Sequence, residues 1–121
     1  MTKYEVRDKL SEYYNACREV DCLAKRLERL KAITVPNTET KQRIEEVINQ
    51  YNNAVMVADS RLASTLEIIN KLNNTDGDID LLYKYHIEGL SERAISKQLH
   101  LSVDYIRTKR WRAYHKLSRL I

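Results

Sequence analysis

An all-α fold is what this sequence predicts, and three observations predict it. Only two glycines and one proline interrupt 121 residues, so long unbroken helices are expected. No stretch alternates apolar and polar residues as a half-buried strand does. Over most of the chain, apolar residues return at alternating steps of four and three, the spacing of one helix face. A chain of this length with 43% hydrophobic residues holds one modest domain, or a small domain with a helical extension.

The first helix is expected from about Thr2 to Ile33. Its apolar positions Val6, Leu10, Tyr13, Cys17, Val20, Ala24 and Leu27 trace a heptad seam, and charges of both signs fill the rest. Pro36 cannot continue it and holds Val35 extended. Thr38 is a candidate N-cap for a second helix running to Leu72, with Ile44, Ile48, Tyr51, Val55, Ala58, Leu62, Thr65, Ile69 and Leu72 in the same rhythm. Two such helices, each roughly 45 Å long at 1.5 Å per residue, are expected to fold back as a long antiparallel, coiled-coil-like hairpin over residues 1–73. One seam does not use Leu23, Leu30, Val47, Met56, Val57, Leu66 or Ile68. Another surface has to cover some of them, either the C-terminal helices of the same chain or a second copy in a homodimer through the hairpin.

The run Asn73 to Asp78 is the one turn-rich stretch, and a linker is expected at 74–79. Asp78 or Asp80 then caps a short helix carrying Leu81, Leu82, Tyr85 and His86. Gly89 ends that helix in the left-handed conformation. Ser91 and Ser102 each open a further helix as N-caps, with Glu92 and Asp104 adding first-turn charge that suits the dipole. Between them Ile95 and Leu99 share one face, and His100 takes the corner, where a positive φ is often required. Beyond Ser102, Val103, Ile106, Ala113, Leu117 and Leu120 form an apolar stripe. Two short helices meeting at a sharp corner, the second longer and basic, predict a helix-turn-helix within 80–121.

Charge points the same way. Residues 1–78 carry 12 Lys or Arg against 13 Asp or Glu, whereas residues 79–121 carry 9 against 4. A basic excess on the last helix is the footprint of a groove-binding element. Placed at 100° per residue, Asp104, Tyr105, Thr108, Trp111, Arg112, His115 and Arg119 face away from Ile106. Asp104, Tyr105, Thr108 and Arg112 are therefore candidates for base edges in the major groove of double-stranded DNA. Arg112 suits guanine, and Asp104 suits cytosine N4 or simply the helix dipole. Arg107 and Lys109, with Ser102 and Lys97, are the candidate phosphate contacts. Trp111 stacks on DNA or docks on the N-terminal helices or a partner protein. Arg110 falls inside the buried stripe, so its stem is expected along the core with its head reaching water.

Enzymatic chemistry has no foothold. No Ser/His/Asp set, acid pair or Gly-rich phosphate loop can be assembled, the three histidines lack ligand spacing, and no metal or other cofactor is expected. Cys17 and Cys22, five apart on a helix, are badly placed to bridge and read as small packing residues in a reducing compartment. No apolar run approaches the roughly 20 residues that cross a bilayer, and no signal segment opens the chain. A cytoplasmic protein of a bacterial host cell, without a membrane partner, is expected.

The stretch EGLSERAISKQLHLSVDYIRTKRWRAYHKL resembles region 4 of the sigma-70 family of transcription initiation factors. The likeness rests on Glu88-Gly89-Leu90-Ser91, Ile95-Ser96, Leu101-Ser102, Ile106-Arg107, Arg112-Ala113 and Lys116-Leu117, and the pattern extends to LuxR-type response regulators. His100 and Ser96 stand where that pattern has a corner glycine and a small alanine, and no promoter-melting region precedes the motif. The resemblance implies recognition of a −35-like promoter element by Val103, Asp104, Tyr105, Arg107 and Thr108. It also implies contact with host RNA polymerase. In layout, helical hairpin first and this motif last, the chain resembles small phage-encoded transcriptional regulators of Gram-positive hosts, ArpU-type proteins among them. A sequence-specific regulator is therefore expected. The competing readings are a DNA-packaging module like a terminase small subunit, and a scaffold that binds protein through Trp111.

Overall fold

A computed structural model describes residues 1–33, 37–72 and 77–121. Among these residues the protein is all-α: α1 (Lys3–Lys31), α2 (Thr38–Ile69), α3 (Asp78–His86), α4 (Glu92–Leu99) and α5 (Val103–Leu120), with no strand. None of these helices is long and apolar enough to cross a membrane. The break at Val35-Pro36 and residues 73–76, which take in the first half of the linker expected at 74–79, lie outside the described residues.

Each helix starts for a local reason. At the head of α1, Thr2 Oγ1 accepts from the Glu5 amide at 3.1 Å while the Glu5 carboxylate accepts from the Thr2 amide at 3.4 Å, a reciprocal box that satisfies two orphan donors. The cap of α2 is Asn37 rather than the expected Thr38. Asn37 Oδ1 accepts from the Thr40 amide at 2.8 Å, and asparagine caps better than threonine. Neither Asp78 nor Asp80 caps α3. Gly77 does so in the left-handed region at φ 73 without a side-chain bond, and Asp78 is buried in the first turn, where its negative charge suits the dipole. The end of α3 follows expectation: Gly89 has φ 71 and the Leu90 amide returns to the Lys84 carbonyl.

Contacts divide the chain into two compact units, residues 1–14 with 62–121, and residues 15–61. This division differs from ranges 1–73 and 80–121, because the start of α1 and the end of α2 share a core with the C-terminal helices. That core joins Val6 and Leu10 of α1, Ile69 at the end of α2 and the following Leu72, Leu82 of α3, and Ala113, Tyr114 and Leu117 of α5. Beside it lies a smaller cluster of Leu81, Ile95 and Ile106, flanked by Tyr85 and Leu90. Leu99 and Leu120, placed in the apolar stripes, are 37% and 54% exposed. Each stands in the last turn of its helix, past the residues that close over Ile95 and Leu117.

Among the described residues of the second unit, those buried are Leu23, Val47 and Ala58. Leu23 and Val47 were outside the seam; the seam's Val20, Ala24, Ile44 and Ile48 are half-buried. Enclosing Leu23 rather than Ala24 buries more area, at about 25 cal/mol per Å²; size does not account for Val47, which is smaller than the half-buried Ile44 and Ile48. Residues 19–26 of α1 line a groove with residues 50–54 of α2. Cys17 is half-buried, but Cys22 is exposed along that groove and does not pack as expected.

Candidate nucleic-acid interface

The corner between α4 and α5 is built from side-chain hydroxyls. Ser91 Oγ accepts from the Ala94 amide and Ser102 Oγ from the Tyr105 amide, both at 3.1 Å, so each helix opens on a satisfied first turn. Between them His100 adopts φ 56, and its amide bonds back to the Ser96 carbonyl. The Leu101 amide shares that carbonyl at 3.2 Å, and the Ser96 hydroxyl donates to the Leu101 carbonyl. Ser96 therefore ties the corner from both its backbone and its side chain.

That corner and the buried face of α5 fix which residues look outward. Ile106, Arg110, Ala113, Tyr114 and Leu117 are buried. Asp104, Tyr105, Thr108 and Arg112 are exposed, Tyr105 at 48%. Val103, proposed by resemblance alone, is half-buried. Lys97 and Ser102 are exposed, and Lys109 is half-buried, with Nζ close enough to Gly77 that a side chain there would meet it at 3.7 Å. The Asp104 carboxylate is almost fully exposed and stands 3.9 Å from Arg107, a separation at which a surface pair contributes little. Arg107 is held more firmly by Glu92, Nε to Oε2 at 3.1 Å.

Behind this face runs a buried polar chain that the sequence did not announce. Arg110 is 7% exposed, so its head does not reach water as expected. Its Nη2 donates to Glu92 Oε1 at 2.8 Å, its Nη1 donates to the Tyr114 hydroxyl at 3.1 Å, and its guanidinium lies 4.4 Å from the centre of the Tyr85 ring. A carboxylate and two aromatic faces make the interior tolerable for this charge. Burial opposes the Arg110 charge, but the Tyr114 hydrogen bond, with Tyr85 and Glu92 nearby, outweighs it and raises its pKa. The chain continues from Tyr114 Oη to His86 Nε2 at 2.6 Å. Since Tyr114 accepts from Arg110, its own proton goes to His86, which must present a bare Nε2 and carry its proton on Nδ1. Burial and then the Arg110 charge lower the His86 pKa to about 4. Burial likewise pushes Tyr114 up to about 12, against the pull of Arg110.

Trp111, placed on the outward face, is half-buried and packs on the shared core. Its ring meets Tyr4 at 5.6 Å and Tyr114 at 5.2 Å, both edge-on, and Arg7 lies 5.6 Å from its centre. Docking on the N-terminal helix is thus the outcome for Trp111. This contact brings Lys3 to the rim of a cleft of about 570 Å³ floored by Trp111 and bordered by Thr108, Arg112 and His115. Nothing in local sequence signals that Lys3 would stand beside residues more than a hundred positions away. A scan against protein-family models finds no match, and comparisons with curated proteins and with solved structures find none either.

Proposed function

We propose that this chain is a sequence-specific DNA-binding transcriptional regulator in which α4, the His100 corner and α5 act as a helix-turn-helix. The observation that carries this reading is the exposed row Asp104, Tyr105, Thr108 and Arg112 on α5, directly opposite a buried face. From Asp104 to Arg112 the helix rises about 12 Å, comparable with the roughly 12 Å width of the major groove. Arg112 then pairs with guanine and Asp104 with cytosine, while Lys97, Ser102, Arg107 and Lys109 hold phosphates. The motif's resemblance to sigma-70 region 4, and the layout's resemblance to small phage-encoded regulators, support the same reading.

Pairing of two copies through an α1–α2 hairpin belongs to the same proposal. Met56 and Val57, adjacent on α2, are 70% and 49% exposed, and a second copy is the natural cover for an apolar surface of this kind.

Selection of duplexes from a random pool at near-physiological salt tests the reading. A defined winning sequence is expected. Arg112→Ala is expected to relax one base position by about 1–3 kcal/mol, and Arg107→Ala to weaken all sequences alike. A pool that emerges unenriched would refute it. Sedimentation separates the packaging alternative, since a dimer fits a regulator and a large ring fits a packaging module.

A further inference from the structure

We infer that the cleft between the start of α1 and the outward side of α5 holds the phosphodiester backbone flanking the bases that α5 reads, with Lys3 supplying a phosphate contact. This rests on the DNA-reading role proposed for α5 and extends the interface to an element outside the α4–α5 pair. Lys3, Arg107, Arg112 and Lys116 border the cleft with His115, and among the described residues none that lines it bears a carboxylate. Arg107 is paired with Glu92 at 3.1 Å and Lys116 with Asp78 at 2.8 Å. Among the described residues Lys3 and Arg112 have no carboxylate partner. With Arg112 turned to guanine, Lys3 is the cation left at this rim, and over an aromatic floor it complements a backbone phosphate.

The floor is built from packed rings. Trp111 is clamped edge-on by Tyr4 and Tyr114, and Lys3 Nζ lies 5.4 Å from the Tyr4 ring and 6.0 Å from that of Trp111. The rings hold the ammonium at the rim by cation–π attraction and leave an apolar wall for a deoxyribose. Placement along α5 also fits. Lys116 lies about 12 Å beyond Thr108 along the helix axis, one groove width, which sets the cleft beside the strand bordering the groove once Thr108 is inside it.

The test measures affinity of the full chain for its selected duplex and for a scrambled duplex, by fluorescence anisotropy across about 50–200 mM salt. Lys3→Gln is expected to weaken both duplexes by the same several-fold factor and to reduce the slope of log affinity on log salt by about one. The preference between the duplexes should not change, and Lys3→Arg should restore the slope. If the parent protein prefers its selected duplex and Lys3→Gln leaves the slope unchanged, the cleft assignment is overturned while the reading of α5 stands. Loss of poly-glutamate binding in Lys3→Gln, with that slope unchanged, assigns the cleft to an acidic protein segment and equally overturns it. A parent protein that shows no preference between the duplexes fails at α5 itself, and takes this inference with it.

Discussion

Acidification offers the sharpest probe of the buried chain running from Glu92 to His86. His86 is 2% exposed, and its Nε2 lies 2.6 Å from the Tyr114 hydroxyl. A second proton on the ring would set an N–H against that O–H and add charge close to Arg110. Burial first, and the Arg110 charge second, lower its pKa from 6.5 to about 4 in the folded protein. A lowered histidine value means that the unfolded chain binds the proton first, so the contribution is complete above pH 6.5 and is lost as pH drops toward 4. Linkage puts the loss at about 2 kcal/mol by pH 5 and about 3 kcal/mol once both states are protonated. That is a large share of the roughly 5–15 kcal/mol typical of a domain. The assay is urea unfolding at pH 7, 6 and 5 for the parent protein and for His86→Gln, which keeps an acceptor for Tyr114 but does not titrate. Carboxylates shared by both proteins cancel in the difference. The gap between parent and variant should narrow by about 2 kcal/mol between pH 7 and pH 5. A gap that stays constant would show that His86 is not held neutral by this packing, and the proton order inferred for the chain would be wrong.

Two further substitutions test the elements that present α5. Glu92→Ala strands the buried Arg110 guanidinium without its carboxylate and should lower unfolding stability by about 3 kcal/mol, with Glu92→Gln losing less. Ser102→Ala removes the bond to the Tyr105 amide and should cost about 1 kcal/mol by urea titration, as should Ser91→Ala at the preceding cap. A loss near zero for either serine would mean that the first turn is satisfied some other way.

What the sequence made legible was local. Ser91, Ser102, His100 and Gly89 declare themselves because caps and left-handed corners are properties of a few neighbouring residues, and each stands as its type suggests. The outward row of α5 was legible for a related reason: helical periodicity over three turns leaves little choice of face. Arg110 shows where this runs out. Periodicity marked it as inward-facing, but its carboxylate stands 18 residues upstream on another helix, so the ion pair that keeps it inside carried no local signature. Trp111 and Lys3 show the same limit over a longer range. The heptad seam of α1 indicated one partner helix, yet Val6 and Leu10 at its start pack with α3 and α5, and Tyr4 meets Trp111. Repeats declare which face of a helix is apolar and leave open which element covers it.

Chemical interference on a selected duplex tests the central claim most directly, because guanine N7 lies in the major groove. If Asp104, Tyr105, Thr108 and Arg112 lie against base edges, methylation of N7 at one or two guanines should block binding, and Arg112→Ala should remove the block at one of them. Binding that is indifferent to N7 methylation everywhere, and sensitive only to modified phosphates, would place the protein on the backbone alone and contradict the account.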